Sequence, residues 1–197
     1  DTALHIENVI PRKDNYPGGY YLFWRSHGSL KDNHTSSWLF HHNYIKPDDS
    51  FTLGRWSVSS EKKAEGPVRG QPLYKEKKIY LPLYGGAKNE AALYISEDDG
   101  QSWYFQSIIA RDPLNKIGFD EPALCSDGDD GFVCFMRTAG ADGRLASSHS
   151  VDGINWSDYK LHKLTGHPFH PLSLDDGRIF LSYGYRKKPY GIRARIL

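Results

Sequence analysis

A chain of 197 residues with 39% hydrophobic content is long enough for one sizeable domain with a buried core. Its 25 basic residues are matched by 24 acidic ones, a formal net charge of +1, so no global field draws it to nucleic acid or to a membrane surface, and charge-based recognition must be local. Two cysteines, Cys125 and Cys134, exclude a disulfide scaffold and a cysteine-based zinc site, and no stretch reaches the roughly 18 apolar residues of a membrane span.

The N-terminal Asp1-Thr2-Ala3 has no basic-then-apolar signal, although a secreted chain whose signal had been removed would look the same, and an extracellular or periplasmic location is the expectation. Strands are expected at 4–10, 20–24, 38–42 and 51–58, where β-branched and aromatic residues alternate between turn residues. Asp32 and His34 fall on the loop that follows the second of these. The next unit gives strands at 71–74, 79–84, 91–96 and 103–109, with Gly85-Gly86 and Asp98-Asp99-Gly100 as turns. A third repeats the plan at 122–125, 132–137 and 144–150, with a last strand after Trp156. A fourth starts at Phe169 and stops at Leu197 before its last strand, leaving a sheet edge that soluble proteins cover; the expectation is a fragment, or a chain completed by other material. No helical period stands out.

The units are repeats. Pro72, Pro122 and Pro171 mark them at spacings of 50 and 49 residues, and a period near 50 is that of a propeller blade. The predicted fold is therefore all-β: a β-propeller of four-stranded antiparallel blades, about four of them present, at approximately 1–60, 61–113, 114–166 and 167–197. Cys125 and Cys134 flank the Ser126-to-Gly131 turn, where two buried thiols are expected, with a bridge as the alternative. Asp127, Asp129 and Asp130 in that turn are expected to be hydrated, with no metal and no cofactor.

Ser96-Glu97-Asp98-Asp99-Gly100-Gln101-Ser102-Trp103 fits Ser-x-Asp-x-Gly-x-x-Trp at every fixed position, and Ser150-Val151-Asp152-Gly153-Ile154-Asn155-Trp156 is the same device shortened by one residue. In such a turn the Asp accepts backbone N–H bonds, Gly takes positive φ and Trp packs between sheets, so the motif is structural and neither Asp98 nor Asp152 is catalytic. With Arg69-Gly70-Gln71-Pro72, Phe119-Asp120-Glu121-Pro122, Phe135-Met136-Arg137-Thr138, Gly166-His167-Pro168-Phe169-His170-Pro171 and Tyr183-Gly184-Tyr185-Arg186, the chain resembles the sialidase superfamily of Asp-box (BNR-repeat) proteins. That resemblance implies a six-bladed propeller of roughly 300 residues at this period.

In an antiparallel blade the start of the innermost strand and the end of the second lie at one edge. Strand starts supply Arg69, Asp120, Glu121, His167 and His170, and second-strand ends supply Arg25, Tyr84, Arg137, Tyr183, Tyr185 and Arg186. The Asp-box turns fall at the opposite edge. Any one of these residues could simply cap a strand in solvent; their recurrence in successive units singles out the set. Arginines, histidines and tyrosines on a concave surface suit an anionic sugar, because guanidinium groups bind carboxylates in bidentate fashion. The run Arg186-Lys187-Lys188 reads as a solvated turn.

The resemblance implies further that Glu121 and Arg137, 16 residues apart, act as the family's glutamate base and one arginine of its carboxylate-binding triad. Tyr183 or Tyr185 would be the nucleophile and Asp32 the general acid, with His34 nearby. One departure stands out: where sialidases open with Arg-Ile-Pro, this chain has Val9-Ile10-Pro11, so Arg25 or Arg69 would have to replace a triad arginine.

The expected function is hydrolysis of a glycosidic bond of a sialic or uronic acid. The alternatives are a lyase acting on uronic acids with His and Tyr, and a non-catalytic glycan-binding propeller. The expected partner is an acidic glycan, with no nucleic acid and no membrane, and with further propeller blades from missing sequence or another chain.

Overall fold

In the computed structural model, structure is described for residues 4–11, 20–27, 38–45, 72–85, 89–98, 103–128 and 130–197, with side chains from Pro72 onward. Every regular element among them is a strand, in four antiparallel meanders. β1 (Leu4–Pro11), β2 (Tyr20–His27) and β3 (Trp38–Ile45) form the first sheet, and β4 (Leu73–Lys75), β5 (Lys78–Gly85), β6 (Glu90–Ser96) and β7 (Tyr104–Ala110) the second. The third is β8 (Gly118–Ser126), β9 (Phe132–Ala139), β10 (Arg144–Ser150) and β11 (Lys160–Thr165); the fourth is β12 (Phe169–Ser173), β13 (Ile179–Tyr185) and β14 (Gly191–Ile196). The second, third and fourth meanders pack against one another in succession, a propeller-like arrangement. The strand expected at 51–58 lies outside the described residues.

The period-2 alternation of β-strands sorts the core into seams. On β9, Phe132, Cys134 and Met136 face the second sheet, where Tyr80, Leu93 and Ile109 meet them. Val133 and Phe135 face the fourth sheet and pack with Phe169, Leu181 and Tyr183. Ile79, Leu81 and Leu83 on β5 point the other way, to Trp103. Cys125 and Cys134 accordingly lie in different seams as free, buried thiols, and burial pushes the Cys125 thiol up to about 12. Across the fourth sheet Leu172, Phe180 and Ile196 stand in register on the face away from the third sheet, and all three are exposed.

β8 begins four residues before the proline that marks its unit. Pro122 cannot donate a ladder hydrogen bond, and the register shifts between Asp120 and Ala123 accommodate it as a bulge. The connection into β8 is fixed by Asp112, whose carboxylate accepts the N–H groups of Lys116 (2.8 Å), Ile117 (2.9 Å) and Leu114 (3.2 Å). The Phe119 N–H then bonds the carbonyl of Asn89, at the start of the second sheet's β6 edge, at 2.9 Å.

The second Asp box is resolved throughout. Asp152 Oδ1 accepts the N–H groups of Ile154 and Asn155, each at 2.8 Å, while Ser150 Oγ accepts that of Gly153 at 2.8 Å. Asn155 is engaged here too, its side-chain amide donating to Asp152 Oδ2 at 2.8 Å. Gly153 sits at φ +70°, where a side chain would be strained. The turn locks onto the neighbouring sheet through Ser107, which donates to the Gly153 carbonyl (2.8 Å) and accepts from the Trp156 indole (3.0 Å). In the first box Ser96 donates to Asp98 at 2.9 Å and Trp103 is buried. The acidic turn at 127–131 is closed by Asp127, which accepts the Gly131 N–H at 2.9 Å, and Lys75 pairs with Asp130 at 3.7 Å.

The N–H groups of Asn155 and Ile154 hold the Asp152 carboxyl far below its ordinary value of 3.8. A group depressed in the folded state stabilises the fold above its unfolded value and loses that contribution as pH falls through the folded one. Asp152→Ala should lower the melting temperature at pH 7, and the gap from wild type should close only in strong acid, below pH 3.8; thermal melts of both proteins across pH 7 to pH 2 measure it.

Candidate active site

The edge opposite the Asp boxes is where chemistry-bearing side chains gather. On β9, Arg137 follows Val133 and Phe135 at period 2 and so faces the fourth sheet, and in the ladder it opposes Asp120. Glu121 is two residues after Phe119, and a regular strand would put both on one face. Phe119 instead lies in the seam with the second sheet, whereas Glu121 meets residues of the other side. The bulge makes this possible, with Glu121 at φ +50°. A non-glycine residue there carries strain of order 1–3 kcal/mol, held in place by its surroundings.

Glu121 is 8% exposed. Its Oε1 lies 3.8 Å from Arg137 Nη1, and its Oε2 lies 3.8 Å from His167 Nδ1. His167 is placed by backbone: its N–H bonds the Gly184 carbonyl at 2.9 Å, and its own carbonyl accepts from Arg186 Nε at 3.4 Å. A side chain at Gly166 would put Cβ 2.5 Å from the Tyr183 ring, and one at Gly184 would put it 2.7 Å from the His167 carbonyl. Two glycines thus let the chain pass close over Tyr183 and present the imidazole to Glu121.

These residues border an open cavity of about 510 Å³ whose lining includes Arg137, Asp142, Gly166, His167, Arg186 and Lys187, within the size range of small-molecule sites. Three permanent cations and one histidine face one lining carboxylate, Asp142, with Glu121 behind, so the cavity favours an anion. Arg137 Nε is buried and has no hydrogen-bond partner among the described residues.

Of the expected site residues, Glu121, Arg137, His167 and Arg186 come together. Asp120 is half-buried in the ladder opposite Arg137. Tyr183 is 5% exposed and packs against Phe169 with tilted rings whose centroids are 5.6 Å apart, and the Arg193 guanidinium lies 3.3 Å from the Tyr185 ring centroid. Both share the period-2 face of Leu181 in the seam, and neither lines the cavity. His170 alternates with buried Phe169 and Pro171 and is exposed on the other face. Tyr84 is half-buried at the end of β5, away from the cavity. Arg25 lies on β2 opposite His5 and Phe40, its side chain outside the described residues, as are Asp32, His34 and Arg69. Lys187, expected in a solvated turn, borders the cavity while remaining exposed. Asp142 and Gly166, which also line the cavity, were not among the expected site residues. Among the described residues, no group of three or more His, Cys, Asp or Glu side chains could hold a metal ion.

The sequence model of the BNR repeat-like domain matches residues 15–195. Among solved structures the chain is similar to a protein of unknown function from Dyadobacter fermentans, at 25% identity and TM-score 0.76 over 96% of this chain and 59% of that one. It is also similar to a Hadza microbial sialidase (14%, TM-score 0.65, 98% and 43%) and to the Penicillium chrysogenum α-L-arabinanase complexed with arabinobiose (15%, TM-score 0.58, 100% and 68%). The chain thus spans 59% of the length of the Dyadobacter protein. No curated protein matches it.

The left-handed conformation at Glu121 gives a direct test of the bulge. Glu121→Gly and Glu121→Ala both delete the carboxylate and differ only in backbone preference. The glycine variant should be more stable than the alanine variant by about 1 kcal/mol, measured by urea denaturation.

Proposed function

We propose, from the premise that the chain belongs to the BNR repeat-like domain family, that it is part of a carbohydrate-active enzyme that hydrolyses a glycosidic bond of an acidic sugar, sialic or uronic. What carries this is the meeting of Glu121, Arg137 and His167 at the wall of a cation-lined cavity. A carboxylate entering it would find the Arg137 guanidinium, a planar fork suited to bidentate pairing, with Arg186 and Lys187 adding positive charge. Glu121, buried beside them, sets a carboxylate between Arg137 and His167.

The larger frame belongs to the same proposal. The sheets are blades at approximately 1–60, 61–113, 114–166 and 167–197 of a six-bladed propeller, the remaining blades coming from further sequence or another chain, and the enzyme works outside the cytoplasm on glycans. No helix among the described residues is long and apolar enough to cross a membrane.

A second reading, a glycan-binding propeller without catalysis, is favoured by one observation. Tyr183, the nucleophile that the sialidase resemblance implies, is packed in the core against Phe169, where sugar could reach it only if the seam opened.

A panel of fluorogenic sialosides and uronosides separates the two. Turnover by the wild type, with Arg137→Ala losing at least about 30-fold in kcat/KM through a 2–5 kcal/mol loss of carboxylate recognition, is the expected result. Binding of acidic sugars without turnover would establish the second reading, and neither binding nor turnover would remove both.

A further inference from the structure

We infer that His167, and not a tyrosine, is the proton-transfer residue of this site, with Glu121 as the group that orients and charges it; the inference rests on the glycosidase reading above. The geometry supplies three reasons. His167 Nδ1 faces Glu121 Oε2 at 3.8 Å while the residue itself lines the cavity. At that separation the carboxylate acts on the ring through charge, favouring the protonated imidazole beside it. The side chain is 27% exposed against 10% for that of Glu121, so of the two the imidazole is the group that a ligand can touch. And the backbone around it is over-determined, by the bond to Gly184 and by the close passage of Gly166 over the Tyr183 ring, as a group held for precise proton transfer requires. Tyr183 is a core residue in this arrangement, its ring packed in the seam beneath the Gly166 passage and outside the chemistry.

The step balances without further reagents. The imidazolium of His167 gives its proton to the glycosidic oxygen as the bond from that oxygen to the anomeric carbon breaks. Water adds its hydroxyl to that carbon, and the proton it sheds returns to the imidazole. The Glu121 carboxylate stabilises the imidazolium by its charge. The charged groups around His167 are Glu121 from β8, Arg137 from β9, Asp142 from the β9–β10 turn, and Arg186 and Lys187 after β13. Arg137 is already drawn to the other oxygen of Glu121, so the carboxylate is shared between a permanent cation and a titrating one.

An acid that must be protonated to work gives a rate that falls as pH rises through its titration. The test compares wild type, His167→Asn, Glu121→Gln and Tyr183→Phe on an alkyl and a 4-nitrophenyl glycoside of the acidic sugar that the panel identifies, over pH 5 to 9. His167→Asn should lower kcat about 100-fold on the alkyl glycoside and far less on the 4-nitrophenyl one, whose leaving group needs no proton, and should abolish the alkaline limb. Glu121→Gln should move that limb to lower pH, and NMR should show the His167 imidazole titrating at lower pH in that variant than in wild type. Tyr183→Phe should keep kcat near the wild-type value. Equal losses on both leaving groups in His167→Asn, an unmoved imidazole titration in Glu121→Gln, or loss of turnover in Tyr183→Phe would overturn the assignment while leaving the glycosidase reading intact. A wild type that turns over neither substrate would overturn both.

Discussion

The third sheet is buried on both faces, and this constraint organises everything near the site. Because Phe132, Cys134 and Met136 must meet the second sheet while Val133 and Phe135 meet the fourth, β9 cannot slip by one residue without exchanging its two dry faces. Register is therefore fixed at Leu124 opposite Cys134 and Leu145 opposite Arg137. The guanidinium at the end of β9 inherits its direction from that packing: Arg137 faces the fourth sheet because Phe135 does.

Against so regular a frame the bulge in β8 is a local exception beside the cavity. It turns Glu121 out of the face of Phe119 and toward Arg137 and His167, at the cost of a left-handed residue. Strain and a buried carboxylate at one position, beside the cavity, are what an active centre tends to concentrate. The opposite edge shows the reverse economy. There the Asp-box turn satisfies its own N–H groups through Asp152 and ties itself to the next sheet through Ser107 and Trp156, so its acid is consumed in structure. Two carboxylates in one sheet thus differ in role because one is saturated by backbone donors and the other faces side-chain cations.

Much of this was legible in residues alone. Recurrent prolines near a period of 50 and the two Asp boxes marked the meanders, and the hairpin spacing between Glu121 and Arg137 brought them to one edge, because antiparallel pairing is a local rule. The parity of β13 carried part of the answer: Tyr183 and Tyr185 share the phase of Leu181, but parity does not say which face meets a neighbouring sheet. His170 likewise shares no phase with its buried neighbours Phe169 and Pro171. Lys187 could not be distinguished from a solvated turn, since its place at the cavity depends on how the loop after β13 lies against the third sheet.

The sequence by itself determined the all-β repeat, the structural nature of the Asp boxes, and the edge on which polar residues collect, because these follow from period-2 patterning, turn chemistry and hairpin length. Only the tertiary structure decided that Glu121 leaves the face of Phe119, that His167 comes within 3.8 Å of it, and that Tyr183 belongs to the core. Each of those depends on a bulge or on the meeting of two sheets, and side chains that touch across a seam are set by packing between segments that no local pattern encodes.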